Sequence, residues 1–90
     1  MQVRWTRPAA EDLAGITRYI RKDNPAAARS VAKTLFDAAN RLDTMPNRGR
    51  IGRIPGTREL IVAGLPYILV YEVSEEAVHI LHIIHSARDW

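Results

Sequence analysis

The 90-residue sequence contains no cysteine and no apolar run long enough to cross a membrane. Without cysteine, disulfides cannot stabilise the fold, which fits a reducing compartment. Residues 1–5 lack the apolar core of a signal peptide. We therefore expect a cytoplasmic protein with no membrane partner. Because a domain of this size buries only a modest fraction of its surface, a bound partner can add to its stability by mass action.

Recognisable cofactor motifs are absent too. The sequence has no glycine-rich phosphate loop followed by Lys-Ser or Lys-Thr, no dinucleotide fingerprint and no Ser-His-Asp arrangement that it could support. His79, His82 and His85 are spaced by three residues, which would bring them together on a helix. The Val, Leu and Ile residues around them favour a strand instead, where His82 faces away from the other two. We therefore expect neither a metal site nor a cofactor.

The charge is unevenly distributed along the chain. Residues 1–58 carry 12 Lys and Arg against 5 Asp and Glu, whereas residues 59–90 carry a single Arg against 5 Asp and Glu. A basic half of this kind suits phosphates or an acidic protein. We interpret most charges on the predicted helices as ordinary solvated side chains. The candidate contacts with a target or a nucleic acid are the arginines of an irregular segment, Arg48, Arg50 and Arg53.

The last third of the chain has the pattern of an antiparallel meander. Apolar runs rich in Val, Ile and Tyr occupy residues 60–62, 67–73 and 78–84, and short segments of turn composition separate them. The middle run is apolar on both faces, which indicates a central strand that is covered on both sides or that faces a partner. A further short strand is predicted at residues 2–5.

Two helices are predicted between these strands. Thr6 or Arg7 can cap the first helix, and Pro8 suits its first position. Asn24 followed by Pro25 ends this helix and starts the next one. Because the joint is short, the two helices should form an antiparallel hairpin.

Further details of the helices follow from charge and periodicity. Glu11 and Asp12 are predicted to lie in the first turn of the first helix, where its dipole favours them. The second helix is predicted over residues 26–45 and ends before Pro46. Its apolar stripe includes Leu42 and Met45, which we interpret as core residues.

These elements predict one α+β domain that spans residues 1–90. The order is β-α-α-β-β-β, with the helical hairpin packed on one face of a mostly antiparallel four-stranded sheet. Residues 46–56 contain three Gly, two Pro and three Arg, and we interpret them as an ordered surface loop that leads into the sheet. The second face of the sheet should be partly open.

The candidate catalytic residues are His85 and Arg88 at the end of the last strand, together with Arg58. Histidine can move a proton near neutral pH, and arginine can hold a phosphate with two hydrogen bonds. The three residues could therefore serve phosphodiester cleavage, which needs an acid, a base and charge stabilisation. The alternative, which we favour for a lone His-Arg pair, is that His85 forms a hydrogen bond in a turn and Arg88 pairs with an acidic neighbour such as Glu59.

A series of segments covers nearly the whole chain in a distinctive order. They read R-P-A-A-E-D-L-A-G-I, D-N-P-A-A-A-R, L-D-T-M-P-N-R-G-R, T-R-E-L, P-Y-I-L-V-Y-E-V and V-H-I-L-H-I-I-H-S-A-R-D-W. In this order and spacing they resemble the RelE/ParE superfamily, the toxin halves of bacterial type II toxin–antitoxin modules. The resemblance implies the fold given above and a cognate antitoxin that wraps and neutralises the protein. We expect the antitoxin to lie across the helical hairpin or along the sheet, with acidic residues opposite the basic half.

The superfamily is divided by target. RelE-like members cut mRNA on the ribosome, whereas ParE-like members inhibit DNA gyrase and are not known as nucleases. RelE-like members typically carry a basic residue after the Tyr of the Y-x-L-V-Y strand, where this sequence has Ile68. They also carry one after the last strand, where Arg88 matches, and some relatives have a histidine where His85 lies. Several continue into a C-terminal tail with a further Tyr, whereas this sequence stops at Trp90.

Three functions therefore remain open. The first is a ParE-like toxin that inhibits DNA gyrase and is not an enzyme, which Ile68 and the missing tail favour. The second is a RelE-like, ribosome-dependent mRNA endonuclease, with His85 as acid or base and Arg58 and Arg88 as phosphate ligands. The third is a degenerate member that binds its antitoxin and is no longer toxic. We rank them in this order.

Overall fold

The computed structural model describes residues 1–87. Within them, two helices pack on one face of a five-stranded sheet. The elements are β1 (Gln2–Trp5), α1 (Arg7–Arg21), α2 (Pro25–Asn40), a short 3-10 turn (Arg41–Asp43), β2 (Arg50–Ile51), β3 (Arg58–Ile61), β4 (Tyr67–Val73) and β5 (Ala77–His85). No helix of the described part of the chain is long and apolar enough to span a membrane.

The spatial order of the strands is β1-β5-β4-β3-β2, with β1 parallel to β5 and all other neighbours antiparallel. The predicted meander and the α+β class are thus confirmed. The sheet has one strand more than predicted, because two residues of the predicted loop, Arg50 and Ile51, pair with Glu59 and Arg58. A two-residue strand has no periodicity of its own, so its pairing depends on β3 and could not be read from the local sequence.

The helix starts agree with the predicted caps. Thr6 accepts a hydrogen bond from the backbone N–H of Ala9 at 3.3 Å, and Asn24 accepts one from Ala27 at 3.0 Å. These side chains satisfy N–H groups that have no partner within the helix. Pro25 is the first residue of α2, as predicted.

Two helical predictions were wrong in detail. Helix α2 ends at Asn40 and a 3-10 turn follows it, so Met45 leaves the apolar stripe and is 57% exposed, whereas Leu42 is fully buried. Helix α1 begins at Arg7, which places Glu11 and Asp12 beyond its first turn. Their roles must therefore be sought in tertiary contacts rather than in the helix dipole.

The core lies between the hairpin and the sheet. Leu35 and Leu42 from the helical layer contact the cluster formed by Leu69, Tyr71 and Ile80 from the sheet, and all five are fully buried. The second face of β4 is buried as well, at Ile68 and Val70. Strand β4 is thus the central strand that its apolar composition indicated, with β5 on one side and β3 on the other.

Candidate functional site

The segment formed by residues 46–58, which we call the basic loop, is fixed to the sheet by a buried tyrosine. The hydroxyl of Tyr71 accepts a hydrogen bond from the N–H of Gly49 and donates one to the carbonyl of Pro46, both at 2.8 Å. Tyr71 is fully buried. Gly49 is required at this point, because a Cβ atom there would lie 2.6 Å from the Tyr71 hydroxyl oxygen.

Arg58 also holds the basic loop. It lies at the start of β3, and its Nη1 donates hydrogen bonds to the carbonyls of Gly49 at 2.7 Å and Asn47 at 3.3 Å. A guanidinium engaged with two backbone carbonyls is oriented by the fold. Arg58, which was predicted to bind a phosphate, therefore binds the backbone of the basic loop in this structure.

Arg50 and Arg53 meet the buried carboxylate of Glu59. One carboxylate oxygen accepts hydrogen bonds from Arg50 at 2.9 and 3.1 Å, and the other accepts the backbone N–H of Arg53 at 3.0 Å. These bonds hold the pKa of Glu59 below its ordinary value, chiefly through the Arg53 N–H, although burial acts in the opposite direction. The predicted partner of Glu59 was Arg88, which lies outside the described residues.

The basic loop therefore presents fewer arginines than the sequence suggested. Arg50 and Arg58 are engaged within the fold. Arg48 is exposed and has no ion pair or side-chain hydrogen bond within residues 1–87, and Arg53 is exposed as well. Of the predicted contact set, Arg48 is therefore the arginine whose side chain makes no hydrogen bond or ion pair within residues 1–87.

His85 lies at the last position of β5. Its Nδ1 accepts a hydrogen bond from the backbone N–H of Ala87 at 3.2 Å, and its ring packs edge-on against Tyr67 with 5.5 Å between the centroids. The bond to Ala87 is the hydrogen bond in a turn that was predicted for His85 as the alternative to a catalytic role. The bond leaves Nε2 as the ring nitrogen that can face a ligand.

The structure does not bring Arg58 and His85 together. Arg58 lies opposite Tyr71 and His85 lies opposite Tyr67, so the two residues are four residue steps apart along β4, or about 13 Å. The reason is topological: in this antiparallel meander, the start of β3 and the end of β5 lie at opposite ends of β4. Because Arg88 lies outside the described residues, residues 1–87 contain no assembled triad of the predicted kind.

A cleft of about 810 Å³ lies between α1 and the end of β5. Asp12 forms one of its walls, and its Oδ2 accepts the N–H of Ile83 at 3.0 Å and lies 3.1 Å from Nδ1 of His82. Sequence reasoning missed this cleft, because it assigned Asp12 to the helix dipole. Within residues 1–87, no group of three or more His, Asp or Glu residues is placed to hold a metal ion.

Comparison with known proteins gives the class of this fold and site. The chain is 42% identical over 89 residues to the putative toxin Y4kP of Sinorhizobium fredii. The aligned residues cover 99% of this chain and 92% of that protein. It is also 42% identical over 87 residues to Toxin RelE2 of Caulobacter vibrioides, which covers 97% of each. Both relatives carry the name of a toxin.

Two solved structures share the fold. A chain of the chromosomal ParDE TA system from P. aeruginosa superposes with a TM-score of 0.88 at 27% identity, over 94% of this chain and 95% of that one. The toxin–antitoxin complex RelBE2 from Mycobacterium tuberculosis gives 0.59 at 28% identity, over 93% and 95%. The family model described as the ParE toxin of the type II toxin–antitoxin system, parDE, matches residues 3–90. The chain belongs to this family, and it is a toxin of a type II toxin–antitoxin system.

Proposed function

We propose that this toxin is a ParE-like inhibitor of DNA gyrase that does not cut nucleic acid. The single observation that carries the proposal is the separation of His85 from Arg58 by about 13 Å along β4. Phosphodiester cleavage needs a proton-transfer group and a charge-stabilising group at one reacting phosphate. A phosphate seated at His85 is out of reach of Arg58, whose guanidinium is bonded to loop carbonyls.

Two further observations support this proposal. The position that is typically basic in RelE-like members is Ile68, which is buried, with 7% of its surface exposed, and supplies no charge to a substrate. The fold also superposes more closely on the chain of the ParDE system, with a TM-score of 0.88, than on the RelBE2 complex, with 0.59.

The exposed part of the basic loop suits a protein target. Within this loop, Ile51 is 75% exposed and Ile54 is 48% exposed. Exposed aliphatic side chains next to Arg48 and Arg53 form a mixed surface, and apolar groups of this kind typically mark protein contacts. We therefore assign this surface to the target, in the cytoplasm where gyrase acts.

The second candidate function is a RelE-like, ribosome-dependent mRNA endonuclease. The exposed Arg48 favours it, because arginine side chains bind RNA phosphates as readily as acidic protein groups, and the relative named Toxin RelE2 is 42% identical. In this mechanism His85 acts as acid or base and Arg88 binds phosphate, while Arg58 has to leave its loop contacts. The third candidate is a degenerate member that only binds its antitoxin.

The deciding experiment compares two assays on one purified protein. Induction of the toxin alone should arrest bacterial growth, and co-expression of the cognate antitoxin should restore it. The toxin should block gyrase supercoiling and leave mRNA intact in a purified translating system. Arg48→Glu should weaken inhibition on the order of 10-fold, whereas Arg18→Glu, the same charge change on exposed α1, should leave it within about 2-fold.

Three results would contradict the proposal in different ways. If mRNA is cleaved and His85→Ala lowers the rate by roughly 10²–10⁴-fold in a protein that still folds, the endonuclease mechanism is correct. If growth is normal at high soluble expression, the member is degenerate. If gyrase is inhibited equally by the wild type and by Arg48→Glu, the basic loop is not the contact surface.

A further inference from the structure

The last half of β5 has an unpaired edge. Strand β1 pairs with β5 only as far as Trp5 opposite Ile80, whereas β4 continues to His85. Residues 82–85 of β5 therefore have a strand on one side and the cleft on the other. Unpaired backbone at a strand edge is a template for an added strand.

The hydrogen bonds show which backbone groups face the cleft. The N–H of Ser86 bonds to Pro66 on the β4 side, and the N–H of Ile83 bonds to Asp12 on the opposite side. Because successive residues of a strand direct their backbone groups to alternate sides, the carbonyl of Ile83 and the N–H of His85 face away from β4. Neither has a hydrogen-bond partner on that side within residues 1–87.

These two groups fit a strand parallel to β5. In a parallel pair, each bonded residue of one strand uses both of its backbone groups. Its N–H bonds to a carbonyl of the neighbouring strand, and its carbonyl bonds to the N–H two positions later on that strand. Ile83 and His85 offer this combination. An antiparallel partner that pairs with both residues would need the N–H and the carbonyl of each, but Asp12 already occupies the N–H of Ile83. Strand β1 has the same parallel direction, so the added segment would continue its course.

The opposite wall of the cleft leaves room for such a segment. Glu11, Gly15 and Tyr19 are spaced by four residues along α1 and line the cleft, so they form one stripe of the helix surface. A Cβ atom at Gly15 would meet nothing closer than Arg18 Nη2 at 4.0 Å. Packing within the chain therefore does not require a glycine here, although glycine weakens a helix interior. The missing side chain widens the cleft next to the unpaired edge.

The charge of the cleft selects a basic segment. The chain as a whole carries a net charge of +3, yet the cleft is lined by two carboxylates, Glu11 and Asp12. Glu11 is exposed and has no ion pair within residues 1–87. The aromatic rings of Tyr19 and Tyr67 also line the cleft, and such rings attract cations.

We propose that this cleft binds an extended segment of the antitoxin, parallel to β5, that directs a Lys or Arg side chain to Glu11. The proposal rests on the assignment to a toxin–antitoxin system and is independent of whether gyrase or mRNA is the target. The backbone of the segment pairs with Ile83 and His85, which gives affinity, and the basic side chain gives specificity. This antitoxin segment is basic, whereas the antitoxin residues expected opposite the basic half of the toxin are acidic.

The test measures the affinity of the toxin for the antitoxin encoded by the adjacent gene, by titration calorimetry. Gly15→Leu should fill the cleft and weaken binding on the order of 10-fold or more, whereas Ala26→Leu on exposed α2 should leave it within about 2-fold. Glu11→Lys should weaken binding at low salt, whereas Glu75→Lys, the same charge change in the β4–β5 turn, should not. Circular dichroism of each variant verifies its fold.

A cross-linking experiment locates the segment directly. Because the sequence has no cysteine, Tyr19→Cys gives a single thiol in the cleft for a photoreactive label. Cross-links to an extended antitoxin segment that contains Lys or Arg are expected. Cross-links to a helical or acidic segment, or to a second copy of the toxin, would overturn the proposal, as would unchanged affinity of Gly15→Leu. If the wild type binds no antitoxin at all, the toxin–antitoxin assignment itself fails and the proposal with it.

Discussion

Tyr71→Phe removes one oxygen atom and two hydrogen bonds that fix the basic loop. The substitution leaves the ring packing of a fully buried side chain unchanged. It deprives the N–H of Gly49 of its acceptor and the carbonyl of Pro46 of its donor. Gly49 is buried, so its N–H has no ready access to water.

The expected loss of stability is about 2–4 kcal/mol, because a buried donor left without a partner costs roughly 1–3 kcal/mol and the half-buried carbonyl adds about 1 kcal/mol. For a domain of this size, that corresponds to a decrease in Tm of roughly 10–30 °C. Urea denaturation should show a lower midpoint with an unchanged slope, since the change in exposed surface on unfolding is the same.

The matched control is Tyr19→Phe, which removes the same atom from a side chain that is 74% exposed. It should leave the stability within about 0.5 kcal/mol of the wild type. A Tyr71→Phe protein with the same Tm as the wild type would refute the reasoning. It would mean that the contacts of Arg58 alone hold residues 47–49.

Two further predictions concern the same region and its surroundings. Gly49→Ala should lower the free energy of unfolding by about 1–3 kcal/mol, because the new Cβ meets Tyr71 and cannot move away from it. Gly15→Ala is its matched control, because a Cβ there lies in open space. This control should raise the Tm slightly through helix propensity. Glu59→Gln should lower stability at neutral pH by about 1–2 kcal/mol. Because folding lowers the pKa of Glu59 below 4.5, its contribution is present above that pH and is lost as pH falls through the folded-state pKa. The stability difference between wild type and Glu59→Gln, measured by urea denaturation from pH 7 to pH 3, should therefore shrink at the acid end, and a constant difference would contradict this account.

The meander and the helix starts could be predicted because their signals are local. A run such as residues 67–73 is apolar on both faces whatever surrounds it, and Asn24 followed by Pro25 marks a helix start through its own backbone chemistry. The family resemblance agreed with these signals. Prediction was therefore reliable where a few adjacent residues determine the structure.

The candidate site could not be predicted in the same way. Arg50, Arg53 and Arg58 look equally available in the sequence, but Glu59 and the loop carbonyls, which engage Arg50 and Arg58, are brought to them only by the pairing of β2 with β3. Asp12 is an ordinary helical acid until β5 presents an unpaired N–H to it. Contacts of this kind depend on register, which a single sequence does not reveal.

The two proposed surfaces lie at opposite ends of β4, and this separation constrains the antitoxin. The cleft lies at the Tyr67 end and the basic loop at the Tyr71 end, about 13 Å apart along the strand. A segment that fills only the cleft leaves Arg48 and Ile51 accessible to a target. Neutralisation therefore requires a second antitoxin contact, and that contact faces a basic surface. We expect an antitoxin with a basic extended segment and an acidic segment at least four extended residues away from it, so removal of the acidic segment alone should leave binding measurable but abolish protection.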